Sequence, residues 1–206
     1  MNLKLSCSVM FFILIIISCD DNPTEPGNQS KELWPFKTGN QWVWKYTRLD
    51  SLGNIKEIKY DTLTVVGTMA YEGNVWYLIE TSDNDTVMYS FIEGRLCRLD
   101  KGDLDYYIRP FFKYPASIGE TYNVNNDTTF LCTVKSLNEQ VICPAGKFAT
   151  IKYELGRKSS SQDYRINEYS YFCPGIGLVR DEFLGRRYDK STYISSIIEL
   201  QSYKLE

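Results

Sequence analysis

The chain has 206 residues, 23 basic and 26 acidic side chains, a net charge of −3 and not one histidine. With no basic block, a nucleic-acid partner is excluded on electrostatic grounds. Without imidazole there is no Ser-His-Asp triad and no histidine metal site, so catalysis would have to rest on carboxylates or a Ser-Lys pair.

Residues 5–17 form an aliphatic run preceded by Lys4 and ended by Ser18-Cys19. A bilayer core of roughly 30 Å takes about 20 apolar residues to span, so the run is too short to cross. A positive start, a short apolar middle and a small residue before a cut are the features of a secretory signal. The ending Ile16-Ile17-Ser18-Cys19 resembles the lipobox of bacterial lipoproteins. That resemblance implies a signal peptide over 1–18, a diacylglyceryl thioether on Cys19 and acylation of the new N-terminus. The membrane is then the partner at Cys19, and the location is the extracytoplasmic cell envelope. Asp20 and Asp21 stand where lipoprotein sorting signals are read: inner-membrane retention in enterobacteria, surface export in Bacteroidetes-like organisms. The outer membrane or the surface is the favoured reading. Residues 19–32, rich in Asp, Asn, Pro and Gly, read as a flexible tether.

From Leu33 the hydrophobic period is two, and residues 33–206 read as a single β domain. In "QWVWKYTRL" Trp42, Trp44 and Tyr46 share one face. Further strands are expected at 55–66, 75–81, 86–92, 95–99, 104–109, 120–124, 128–135, 140–143, 148–155, 164–172, 178–184 and 192–203, separated by Gly-, Asn- and Asp-bearing turns. "PFFKYP" at 110–115 should interrupt pairing and mark a long connection or the midpoint of the fold. The sixteen Tyr and ten Phe suit half-buried pleated surfaces. The expected fold is mainly β: a curved antiparallel sheet closing into a half-open barrel or sandwich, with few or no helices after the signal peptide.

Four cysteines remain after the signal and the lipid site. An even number in an exported chain points to disulfides. If Leu137-Asn138 is a hairpin tip, Cys132 falls opposite Cys143, within about 4.5–5.5 Å between Cβ atoms. Cys97 would then pair with Cys173 by exclusion. The alternative is four buried thiols.

"CPAGKF" at 143–148 and "CPGIGLV" at 173–179, with Pro35, Gly39, Trp42 or Trp44 and Tyr46, carry a family likeness. They resemble bacterial lipoproteins of unknown function with a PAGxF…PGxGxV pattern, here Pro144, Ala145, Gly146, Phe148 and Pro174, Gly175, Gly177, Val179. Such proteins are similar to the LolA/LolB-like group, which implies a half-barrel around an apolar cavity. The chain departs in Cys143, in Cys173 and in lacking recognisable lid helices. Read from the residues alone, Pro144-Ala145-Gly146 is a bend, Pro174-Gly175 a type II turn, and Gly177 a bulge or a close backbone approach.

Asp100, Asp103 and Asp105 form an acidic stretch able to ligate Ca²⁺, as does Asp83 to Asp85, but neither matches a calcium-loop spacing, so no metal and no cofactor is assigned. The sequence reading is a non-enzymatic lipoprotein. Its concave face, with Trp42, Trp44 and Tyr46, binds an apolar or amphipathic ligand. The alternative is a structural or protein-interaction module, and a carboxylate-based hydrolase ranks last.

Overall fold

The structure, a computed structural model, describes residues 32–102, 105–158 and 164–206. Cys19, Asp20, Asp21 and Asp103 lie outside them. The described residues contain strands and turns and no helix. The twelve strands are β1 (Gln41–Leu49), β2 (Ile55–Tyr71), β3 (Asn74–Glu80), β4 (Thr86–Ile92), β5 (Arg95–Lys101), β6 (Tyr106–Lys113), β7 (Thr121–Val124), β8 (Asp127–Cys143), β9 (Gly146–Lys158), β10 (Tyr164–Cys173), β11 (Gly177–Arg186) and β12 (Thr192–Lys204).

They form one antiparallel sheet in the order β6-β5-β4-β3-β2-β1-β12-β11-β10-β9-β8-β7. Within β1 to β6 and within β7 to β12 each strand pairs with its neighbours in sequence, and the pairing of β1 with β12 joins the two halves. The sheet curls until its edges, β6 and β7, meet without a ladder. Contacts across this seam include Asn125 N–H to the Pro110 carbonyl at 2.9 Å, Lys113 N–H to Tyr122 Oη at 2.9 Å, Arg95 Nη2 to the Asn123 carbonyl at 2.6 Å and the Lys113–Glu120 ion pair. The result is a barrel with one unsealed seam, which is the barrel rather than the sandwich form of the expected curved antiparallel sheet.

The "PFFKYP" stretch lies at that seam. β6 runs through Pro110 and the connection to β7 begins only at Tyr114. Pro110 is tolerated because its carbonyl faces the seam, so its missing N–H falls on the unpaired edge.

Two strands expected at 128–135 and 140–143 are one strand, β8. Leu137-Asn138 is not a hairpin tip but part of an irregular step, where the register jumps between Ser136 and Glu139. Bulges of this kind bend a strand and raise its twist, which closing the barrel requires. The true hairpin is Pro144-Ala145, with Cys143 opposite Gly146.

This removes the basis for a Cys132–Cys143 disulfide. The two residues sit on the same strand, eleven positions and roughly 35 Å apart along an extended chain. Cys132 faces Leu155 instead. All four cysteines are free, Cys97 and Cys173 included. Burial pushes their thiols up, Cys132 to about 12 and Cys173 to about 11, so none is a reactive thiolate at neutral pH.

The barrel interior holds the main core, with Trp42, Tyr153 and Phe172 almost fully buried. A smaller cluster of Trp76, Cys97 and Leu99 lies under β2 to β6. Alternation along β3 puts Trp76 on the face opposite Val75 and Tyr77.

Candidate ligand cleft and interior acid pair

The segment before β1 decides the shape of the barrel mouth. Leu33, Trp34 and Phe36 are buried there. Trp34 meets Trp42 edge-on at 5.6 Å between ring centroids, and touches Trp44, Tyr89 and Phe172 at 5.6, 5.5 and 6.0 Å. Its indole lies directly over Gly177: a Cβ there would fall 2.6 Å from Trp34 Nε1. Gly177 has φ +105°. The residue is thus glycine for two reasons, backbone conformation and the close approach of an aromatic ring.

The short motifs noted in the sequence meet around this wedge. Trp42 Nε1 donates to the Ile176 carbonyl at 2.7 Å, and Gly175 N–H to the Glu32 carbonyl at 3.1 Å. The turn Cys173–Ile176 closes through Ile176 N–H to the Cys173 carbonyl, with Gly175 at φ +82°. Ala145 N–H reaches the Leu200 carbonyl at 3.2 Å. The motifs therefore form one end of the barrel.

Beside the wedge opens a cleft of about 500 Å³. Its apolar walls are Trp34, Phe36, Val75, Tyr77, Phe91 and Tyr114, with Glu32, Asn74 and Ser90 among the polar lining. Phe36 packs on Tyr77 at 5.5 Å and stacks on Tyr89 at 5.8 Å, which fixes that wall. Of the residues expected to face a ligand, none lines this cleft. Trp42 is fully buried core, Trp44 packs against the core and Tyr46 is half-buried on β1. Trp34, Phe36 and Tyr77 stand in their place. The sequence shows those side chains but not that the chain folds back over the barrel mouth before β1 begins.

A second feature lies within the barrel. Ser170 and Asp181 face each other across β10 and β11, and Glu168 is on the same face two residues along. Ser170 Oγ donates to Glu168 Oε1 at 2.8 Å. Asp181 is 8% exposed, and its Oδ1 has no hydrogen-bond partner among the described residues. Burial, and then the charge of Glu168, raise the Asp181 carboxyl well above the usual range; burial raises Glu168 too. The charge of one acid thus disfavours ionisation of the other.

The sign of the pH effect follows. The folded-state pKa of Asp181 is raised, so folding is favoured below the unfolded value near 3.9, and this contribution fades as pH climbs toward the folded value. Asp181→Asn, which removes the ionisation, is expected to raise the melting temperature at pH 8 and to lose that advantage near pH 4. Each pKa unit is worth about 1.4 kcal/mol, and each kcal/mol about 2–4 °C in a chain of this size. Parallel thermal melts of parent and variant from pH 4 to 8 measure it, and a variant less stable at pH 8 contradicts the raised carboxyl.

The acidic stretches behave as structure. Asp100 lies in β5, not in a loop, and is held by Arg98 at 2.6 Å and Arg109 at 2.7 Å. Asp105 accepts from Tyr71 Oη and from the Tyr106 N–H. The turn at 82–85 closes its hairpin through Thr81 and Asp85. Among the described residues no group of three or more His, Cys, Asp or Glu is placed to hold a metal ion.

No protein-family model matches the chain, and no curated protein does. Two solved structures are similar to it. One is a Bacteroides fragilis NCTC 9343 protein described as exported and as having a YmcC-like fold; it is 16% identical over 84% of this chain and 99% of its own, with a TM-score of 0.47. The other, from Parabacteroides distasonis ATCC 8503, is described as a lipoprotein; it is 16% identical over 86% of this chain and all of its own, with a TM-score of 0.46.

Proposed function

We propose that the chain is a non-enzymatic protein of the bacterial cell envelope, lipid-anchored through Cys19, whose barrel takes one apolar or amphipathic ligand. The outer membrane or the cell surface is its place. The observation that carries the ligand reading is the aromatic cleft of about 500 Å³ at the barrel mouth. That size is in the range of small-molecule sites, roughly 300–1,000 Å³, and aromatic side chains form part of the wall beside polar groups. The PAGxF and PGxGxV motifs resemble those of bacterial lipoproteins of unknown function, and the similarity of that group to LolA/LolB-like proteins supports the same ligand class. The anchor rests on the lipobox resemblance at Cys19. A hydrolase needs two acids converging on an accessible cleft. Among the described residues Glu32 is the one acid in the lining, and Glu168 and Asp181 sit on β10 and β11 outside it.

A second reading, an interaction module with no small ligand, draws on the filled interior, where Trp42, Tyr153 and Phe172 leave the barrel axis packed. One experiment separates the two. The protein is purified from membranes, its lipids are identified by mass spectrometry, and a fluorescent fatty acid is titrated into the delipidated protein. Val75 is half-exposed at the cleft, so Val75→Trp should fill the cleft without harming the fold and weaken the probe at least tenfold. Val66→Trp, on an exposed position outside the cleft lining, should not. Equal binding by parent and Val75→Trp sinks the cleft reading, and absence of any saturable binding favours the second. In the same preparation, radiolabelled palmitate should mark the parent and not Cys19→Ala.

A further inference from the structure

The end of the barrel opposite the Trp34 wedge carries two hairpin tips, 50–54 between β1 and β2 and 187–191 between β11 and β12. They are braced against each other: the Arg187 guanidinium donates to the Ser51 carbonyl and to Ser191 and Thr192, and lies over the Tyr193 ring at 5.2 Å. From this braced pair Leu52 projects 82% exposed and Tyr188 fully exposed, with Ile55 beside them at 60%. An isolated exposed leucine needs no explanation, but a leucine and a tyrosine at adjacent tips held rigid by an arginine form a shaped apolar point.

The charges around that point are sorted. Its acids are engaged within their own turns. Asp50 accepts from the Leu52 and Asn54 N–H groups and pairs with Lys56 at 3.0 Å. Asp189 accepts from Ser191 N–H and Oγ at 2.9 and 2.6 Å, and Glu57 is held by Arg48 and Lys59. These bonds lower all three carboxyls. Arg186 and Lys190 form no ion pair among the described residues and are exposed, as is Arg165 on β10 at the same end. A chain with net charge −3 thus gathers excess positive charge around its most exposed apolar tips.

We propose that these tips dock on an anionic phospholipid surface, Leu52 and Tyr188 entering the headgroup region while Arg186, Lys190 and Arg165 face the lipid phosphates. Tyrosine suits that depth because its ring is apolar and its hydroxyl wet, and basic residues are drawn to an anionic leaflet. The contact is distinct from the anchor. β11 starts at Gly177, under the Trp34 wedge, and ends at Arg186, so the tips lie roughly 30 Å from where the N-terminal segment joins the barrel.

Residues 32–206 contain all twelve described strands and both apolar clusters, so this part is tested without its lipid. It is sedimented with vesicles of phosphatidylcholine alone or with one quarter phosphatidylglycerol. Binding to the anionic vesicles should be at least tenfold stronger and should fall as salt is raised. The double substitution Leu52→Asn, Tyr188→Ser should lose at least tenfold with an unchanged melting temperature, since both side chains are exposed. Arg186→Gln with Lys190→Gln should erase the preference for phosphatidylglycerol. Val75→Trp should bind vesicles like the parent, and if it does not, the lipid is met through the cleft and the tip proposal fails. It fails equally if both vesicle types bind alike, if the tip variant binds like the parent, or if the barrel captures a protein and no vesicle.

Discussion

Gly177→Ala is expected to destabilise the protein by roughly 2–6 kcal/mol, a large fraction of the 5–15 kcal/mol by which domains are typically stable. Two costs add. An alanine at φ +105° sits in sparsely populated backbone space, at about 1–3 kcal/mol. The new methyl also lands 2.6 Å from Trp34 Nε1, and overpacking of this kind costs a further 1–3 kcal/mol. The indole cannot give way freely because Trp42, Trp44, Tyr89 and Phe172 hold it on its other sides. Denaturant unfolding measures the loss. A cycle with Trp34→Leu separates the two costs: the steric part disappears once the indole is gone, while the backbone part stays. A coupling below about 0.5 kcal/mol between the positions contradicts the wedge.

That glycine also shows what could be seen in the sequence and what could not. A glycine between strands pointed to a bulge or a close backbone approach at Gly177, but not to its partner, because Trp34 is 143 positions away. The strands themselves were legible because alternation is local: β1 and β4 span the expected residues, and the other strands differ mostly by a few residues at their ends. Leu137-Asn138 misled because a bulge and a hairpin tip use the same polar residues, and only the partner strand tells them apart. The error propagated to Cys132 and Cys143, whose pairing depended on that turn alone.

The candidate site was harder to see for a related reason. Period two says which residues share a face, not which face looks inward. Glu168, Ser170 and Phe172 alternate with Tyr169 and Tyr171, and either set reads as a core face on hydrophobicity. The register that sets Asp181 opposite Ser170, with Glu168 two residues along, depends on the bulge between Tyr171 and Phe172, which alternation does not show. The cleft walls Trp34 and Phe36 precede the first strand, where alternation gives no signal at all.

Asn40→Ala is expected to cost about 2–4 kcal/mol, the second large effect. Asn40 is 1% exposed. Its Nδ2 donates to the Pro35 carbonyl at 2.7 Å and its Oδ1 accepts from the Glu206 N–H at 2.7 Å. Its own N–H and carbonyl bond to Lys37 and Val65. One side chain therefore ties the segment before β1 to the end of β12. Alanine leaves both side-chain partners without Asn40, at about 1–3 kcal/mol for a buried group. The Glu206 end is exposed and recovers hydration, which holds the total below the sum. Asn40→Asp separates the two bonds, since it still accepts from Glu206 but cannot donate to Pro35. The new carboxylate faces a carbonyl in a buried place, so its folded-state pKa is raised. The loss should be largest at pH 7 and above and should shrink as the pH falls and the acid is protonated. Hydrogen exchange should show residues 33–36 and 202–206 opening together in the alanine variant. Pro35 stands between Trp34 and Phe36, so the same substitution should loosen that cleft wall and weaken the fluorescent fatty acid, although Asn40 itself does not line the cleft. If stability falls while probe affinity holds, the wall is kept by the aromatic stack of Phe36 on Tyr89 rather than by the Asn40 bridge.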